Sequence, residues 1–256
     1  MARHEFITTI VESIMILIFE MIGTFLLASL YQSCAAVGNY LGFLVGFFIL
    51  LIFSARISGS HYNPGVTLAF MLRKDAGRFN RWIGIAYMIF QVGGGFCGAL
   101  FAYYIFGAQT LLTVDHRSSW YQAMCQVIIG SFMLVFMYLT QTETSTKLSN
   151  DPAITTGIVA SSYVVSMLIG LGGGSFVSVS PQNFAVALGI ISMQTFQGTI
   201  GSGSTNWTWI YLVFPWVGAV AAVFLYECVF KRATAAVEAG NEIHEAAEEG
   251  LLSSDP

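Results

Sequence analysis

Ile57-Ser58-Gly59-Ser60-His61-Tyr62-Asn63-Pro64-Gly65-Val66-Thr67-Leu68 decides how this chain folds. Pro64 after Asn63 marks a helix start: proline at the first helical position gives up no hydrogen bond, and asparagine is a strong cap. The apolar piece it opens runs only to about residue 72, and ten helical residues extend roughly 15 Å, half of a ~30 Å hydrocarbon layer. A second short apolar piece, about 183–195, follows Ser180-Pro181-Gln182-Asn183-Phe184-Ala185-Val186. Non-helical backbone at membrane depth survives only when it is buried in protein or lines a wet cavity. Two half-length pieces therefore imply an internal cavity or pore. The free N–H groups and positive dipole end of the first half-helix would point at the membrane centre, where the Asn63 amide offers two donors to a passing molecule.

The composition supplies the membrane. The chain has 256 residues, 55% hydrophobic and 9% charged, against about 25% charged in a soluble domain. Its mean hydropathy is +0.70. Six stretches are long and apolar enough to span: about 8–30, 37–55, 82–106, 119–140, 154–172 and 207–230. The first is too long for a signal-peptide core and contains Glu20. The net charge of −4, with no basic patch, excludes nucleic acid as a partner. Cys34, Cys97, Cys125 and Cys228 are isolated, and His4, His61, His116 and His244 are scattered, so neither a metal site nor a disulfide framework is expected. No cofactor is expected either. Paired carboxylates and nucleophile–base arrangements are missing near the short pieces, which argues against an enzyme.

Six spans put both termini on one side. Taking that side as cytoplasmic gathers Arg3, Arg56, Arg73, Lys74, Arg78, Arg81, Lys147, Lys231 and Arg232 there and leaves only Arg117 outside, a strong positive-inside bias. The two half-length pieces then enter from opposite faces. An internal repeat agrees with this. Ile22-Gly23-Thr24-Phe25-Leu26-Leu27 reads against Ile129-Gly130-Ser131-Phe132-Met133-Leu134; Phe90, Gly94 and Phe106 keep the spacing of Phe214, Gly218 and Phe230; Asn63 and Asn183 fall at matching places between. Three spans per half make the repeat inverted, and such repeats meet at the midplane to form a substrate path. The expected fold is all-α and membrane-embedded: six transmembrane helices plus two re-entrant half-helices. The halves are about 8–106 and 119–230 within a channel domain, 1–232. The remaining 233–256, with Glu238, Glu242, Glu245, Glu248, Glu249 and Asp255, reads as a cytoplasmic acidic tail, a short helix or disordered. Glu248-Glu249-Gly250-Leu251-Leu252 resembles an acidic dileucine sorting signal, a pattern that arises readily by chance. Plasma and vesicle membranes both stay open as its location.

The run around Asn63 resembles the first pore motif of the aquaporin, or major intrinsic protein, family, S-G-x-H-x-N-P-A-V-T. Glu20-x-x-Gly23-Thr24-Phe25 resembles the family's first helix, Gln91 with Gly94 its third, and Trp209-Ile210-Tyr211 through Pro215, Gly218-Ala219 and Tyr226 its sixth. The resemblance covers all six spans. It implies a right-handed helical bundle, a homotetramer with one pore per subunit in the lipid bilayer, and two asparagines that donate to a file of water or small alcohols. It also implies that Glu20 accepts hydrogen bonds from a re-entrant loop, as pore support. His61 would line the cytoplasmic vestibule, either as a pH sensor or as an ordinary hydrogen-bonded loop histidine.

The departures bear on selectivity. The two motifs read Asn63-Pro64-Gly65 and Asn183-Phe184-Ala185 where the family repeats Asn-Pro-Ala. Phe184 in place of proline is expected to fix the second helix start less strongly. Val186 stands where the family has the arginine of the outer constriction. Carrying the other constriction positions over by spacing gives Phe43, Leu171 and Ser180, an apolar ring with Val186. Val127 takes the place equivalent to Glu20, with Gln126 beside it, so one support is expected to be neutral or lost. Two readings follow: a passive channel for water and small neutral solutes such as glycerol or urea, or a weakly or non-conducting membrane scaffold or junction protein of the same fold. Asn206-Trp207-Thr208 is a glycosylation sequon beside the sixth span, and Trp82, Trp120 and Trp207 stand at span ends as interfacial anchors do.

Overall fold

A computed structural model describes residues 2–74, 79–108, 110–114, 120–169, 179–198 and 207–252. Nine helices follow in order among them: α1 (Ala2–Ala35), α2 (Tyr40–Ser54), α3 (Pro64–Leu72), α4 (Arg81–Phe106), α5 (Trp120–Thr142), α6 (Pro152–Leu168), α7 (Phe184–Phe196), α8 (Ile210–Leu225) and α9 (Lys231–Leu252). A π turn, Tyr226–Phe230, joins α8 to α9. Asn39, Asn80 and Asp151 cap α2, α4 and α6 with their side-chain oxygens. The acidic tail is thus helical through Leu252. Leu171 and Asn206 lie outside the described residues.

Four helices are long and apolar enough to cross a membrane alone, within Val11–Ala35, Arg81–Phe106, Trp120–Thr142 and Ile210–His244. The second and fifth expected spans are shorter as helices, 15 and 17 residues in α2 and α6. At the end of α2 the Ser54 hydroxyl pairs with Ser58 Oγ, Ser60 Oγ and the Tyr62 phenol, which ties the re-entrant loop back to the helix end. α3 and α7 are the half-helices, 9 and 13 residues long.

Each half-helix packs on a helix of the other half. α7 lies against α4 and α3 against α8, while α1 pairs with α4, α5 with α8, and α2 with α6. The two halves are therefore interlocked rather than apposed. Gly94 and Gly218 make equivalent close approaches in the two halves. A Cβ at Gly94 would strike Met21 O, Phe25 N and Thr24 Cβ; at Gly218 it would strike Ile128 O, Phe132 N and Ser131 Cβ. These are corresponding residues in the two halves, so the repeat read from the sequence is a repeat of contacts. Small residues at such crossings let backbones meet where no hydrophobic drive separates helix from lipid.

Among the described residues large apolar side chains cover much of the outside, and many polar groups lie within beside the apolar core. Leu41, Ile89 and Phe224 are 71%, 66% and 68% exposed, whereas Glu20, Thr24, Gln91, Ser131 and Asn183 are buried. That inversion suits a lipid surround, where polar groups must find partners inside the protein.

Gly94→Ala is expected to lower stability by about 1–3 kcal/mol through overpacking. At Gly93, one residue away, an added Cβ would meet nothing within 4 Å, so Gly93→Ala should be neutral or stabilising. Thermal unfolding of both variants in detergent checks the contrast.

Candidate functional site: the crossed re-entrant loops

The site begins with two asparagines held in the same backbone conformation. Asn63 has φ −147 and ψ 118, and Asn183 has φ −147 and ψ 114. Each caps its own half-helix. Asn63 Oδ1 accepts from Gly65 N at 2.9 Å, and Asn183 Oδ1 accepts from Ala185 N at 3.0 Å and Val186 N at 3.4 Å. Each amide nitrogen then crosses to the other loop: Asn63 Nδ2 donates to Gln182 O at 3.0 Å, and Asn183 Nδ2 donates to Tyr62 O at 2.8 Å. The carbonyl engaged in each case belongs to the residue just before the opposite asparagine. One amide N–H of each pair is thus committed to the protein.

Those preceding residues are themselves equivalent. Tyr62 and Gln182 are non-glycine residues at positive φ, 47° and 48°, an uncommon conformation that the surroundings must hold in place. Tyr62 is held by the Ser54 hydroxyl at 2.5 Å and by donation to Leu50 O at 3.0 Å. Gln182 accepts from Ser131 Oγ at 2.8 Å and donates to Ser166 O at 3.1 Å. Gly23 and Gly130 leave the space their side chains fill. Phe184 does not move the helix start. The cap and the crossed amide fix it without proline, and the Phe184 ring packs on Trp216 at 5.2 Å.

Glu20 carries the first loop. Its Oε1 accepts from Ser58 Oγ at 2.6 Å and His61 N at 3.0 Å, and its Oε2 accepts from Tyr62 N at 2.8 Å and Gln91 Nε2 at 2.8 Å. A chain continues outward: Gln91 Nε2 also donates to Thr67 Oγ1 at 2.9 Å, and His61 Nδ1 pairs with that hydroxyl at 3.2 Å. In the second half Val127 is buried and offers nothing. The Gln182–Ser131–Ser166 bonds replace the carboxylate with neutral groups. Gln126 is buried with both amide atoms unpaired among the described residues.

His61 faces a cavity of about 870 Å³ lined by Ser58, Phe70, Arg73, Phe79, Tyr87 and Glu143, and a second of about 360 Å³ that reaches Tyr138. Aromatic rings surround its imidazole: Phe70 at 4.5 Å, Phe79 at 5.3 Å and Tyr87 at 5.4 Å. At the rim Arg73 is buried. It pairs with Glu143, lies 3.9 Å from Glu227 through Nε, and packs on Phe70 and Tyr226.

On the opposite side of the asparagines aromatic side chains pack together. Phe43 is fully buried and meets Tyr163 edge-on at 5.1 Å, Phe47 in a stack at 6.0 Å and Tyr31 edge-on at 6.1 Å. Val186 and Ser180 are also buried, and Ser180 Oγ accepts from Gln182 N at 3.3 Å. Tyr163, from α6, stands at this level although no motif in the sequence points to it. It sits eight positions before Leu171 in the chain, and a count back from Val186 depends on the length of the intervening loop. Arg73, Gln182 and the other tyrosines carry no sequence signal as site residues either. Only the place of Gln182 in the repeat, opposite Tyr62, could flag one of them.

A family model for the major intrinsic proteins matches residues 2–226. Aquaporin NIP3-1 of Oryza sativa subsp. japonica is 26% identical over 227 residues, 82% of this chain and 66% of that protein. A glycerol uptake facilitator protein-like 5 of Lactiplantibacillus plantarum is 26% identical over 204 residues, 74% of this chain and 78% of that protein. The chain thus spans about two thirds of the length of the rice relative. The X-ray structure of the aquaglyceroporin from Plasmodium falciparum superposes with a TM-score of 0.72 at 20% identity, covering 87% of this chain and 98% of that one.

Glu20→Gln places an amide NH₂ against loop donors and is expected to cost about 3 kcal/mol. For a chain of this size the thermal midpoint in detergent should fall by roughly 6–12 °C. An unchanged midpoint would show that the first loop does not depend on the Glu20 carboxylate.

Proposed function

The chain belongs to the major intrinsic protein family, and from that premise we propose that it forms a passive transmembrane path for water and small neutral solutes, of which glycerol and urea are the model cases. The observation that carries this reading is the pair of crossed asparagines, each capping a half-helix whose free N–H end points inward. One donor of each amide is left over by the cross-loop bond. Both half-helix dipoles present their positive ends to the same place, which is hostile to a cation and indifferent to a neutral solute. The cavity at His61 opens on the same loop, two residues before Asn63. Flow follows the gradient, so no cofactor, energy source or covalent chemistry enters.

In this reading Phe43, Ser180 and Val186, with Leu171 from the sequence and Tyr163 from the geometry, make the outer constriction. The termini and the His61 cavity face the cytoplasm, residues 1–232 form the channel domain, and 233–256 form the tail. Four copies in the bilayer, each with its own path, is the assembly proposed. A constriction without arginine supplies neither charge nor strong donors, so water specificity is not expected.

The second reading, a weakly or non-conducting scaffold of the same fold, draws on the complete burial of Phe43 and the packing of Phe47 and Tyr163 around it. Stopped-flow swelling of proteoliposomes separates the two. Water or glycerol flux above that of empty liposomes supports the channel; well-folded protein with none supports the scaffold. Within the channel reading, Phe43→Ala should raise glycerol flux and Val186→Arg should lower it. Glycerol and urea fluxes unaffected by Val186→Arg would contradict this constriction.

A further inference from the structure

Tyrosine hydroxyls from four different helices engage backbone carbonyls in the two re-entrant loops. In the first loop Tyr87 donates to Ser58 O at 2.9 Å, and the Tyr138 hydroxyl lies 2.7 Å from both Gly59 O and Ser60 O. In the second, Tyr31 donates to Val179 O and Tyr163 donates to Pro181 O, each at 2.5 Å. Tyr62 O and Gln182 O, each just before an asparagine, take the asparagine amides. Several of the acceptors in each loop are thus engaged by the protein itself.

This matters because a molecule entering a narrow path gives up hydrogen bonds to water, and loop carbonyls are the groups that can replace them. A carbonyl has two lone pairs, so a single tyrosine weakens an acceptor without abolishing it. Tyr163 engages the tyrosine-bonded carbonyl nearest in the chain to an asparagine: its phenol donates to Pro181 O, two residues before Asn183, whose own amide donates to Tyr62 O.

We propose that Tyr163, seconded by Tyr31, is a selectivity-determining residue. Its hydroxyl occupies the loop acceptor that a permeating molecule would use, and this lowers the passage of solutes that must donate hydrogen bonds, water and small polyols first among them. The ring itself packs edge-on against Phe43 at 5.1 Å and Phe47 at 4.8 Å. Removing only the oxygen leaves those contacts in place, so the effect of the hydroxyl can be read apart from that of the ring. The proposal rests on the channel reading above.

The test uses full-length protein in proteoliposomes, with water and glycerol fluxes followed by stopped-flow light scattering over a range of temperatures. Tyr163→Phe is expected to raise water flux per protein about two- to tenfold, the range that one net hydrogen bond supports, and to lower the activation energy of the flux. Tyr31→Phe should move both readouts the same way by less. A role confined to stability would shift the unfolding midpoint and leave the activation energy alone. Equal flux and activation energy in Tyr163→Phe and the unaltered protein, with Phe43→Ala above both, overturns the tyrosine assignment and leaves the channel standing. Background flux from all of these overturns the channel reading and this proposal with it. Should Tyr163→Phe fail to reconstitute, Tyr31→Phe decides by the same two readouts.

Discussion

Backbone that leaves a helix in the middle of a bilayer has no water to bond to, and this fold answers that constraint with a reciprocal bond. Asn63 caps its own half-helix and donates to Gln182 O; Asn183 caps its own and donates to Tyr62 O. Each loop supplies the other with the partner that water would supply elsewhere. An unpaired polar group in hydrocarbon costs several kcal/mol. Neither loop is therefore stable at that depth without its counterpart. Much of the remaining architecture keeps the two loop tips within reach of each other. Half-helices exchanged between the halves, glycines that let α4 close on α1 and α8 on α5, and carboxylate or amide supports behind the loops all do this.

The two supports are chemically unlike, and that is where the halves diverge. The first loop hangs on one ionised-type acceptor, Glu20, which takes four donors from residues 58 to 91. The second loop has Val127 at that place and relies on Gln182, which carries its own amide into a slot between Ser131 and Ser166 O. A carboxylate only accepts, whereas an amide does both. The first arrangement gathers backbone and side-chain N–H groups, and the second links two helices through a single side chain. Both arrive at the same φ and ψ at the asparagine, so the geometry at the centre is less sensitive to the chemistry behind it than a motif comparison suggests.

The sequence reads well wherever the constraint is local. Asn63-Pro64, the short apolar runs, Glu20 in a span, and the Gly23/Gly130 and Gly94/Gly218 correspondences are each unusual in an apolar helix, and each has a structural counterpart in the fold. It reads poorly where a side chain reaches far along the chain. Tyr31 finds Val179 O across 148 residues and Tyr163 finds Pro181 O across 18; no periodicity announces either. Arg73 counts as an interfacial charge in the orientation argument, yet it is buried against Glu143 and Glu227 at the edge of the cavity. At Phe184 the helix still starts in the same register as after Pro64, with the asparagine cap and the cross-loop bond in place.

The claim on which the rest depends is that the two loops hold each other, and a double-mutant cycle measures it directly. Asn63→Ala and Asn183→Ala, singly and together, would be followed by unfolding of the full-length protein in detergent. The reciprocal bond predicts strong non-additivity: the second substitution costs about 1 kcal/mol or more less than it does alone, within the coupling range of residues in one network. Additive losses would contradict the account, since each asparagine would then be acting as the cap of its own helix and nothing more.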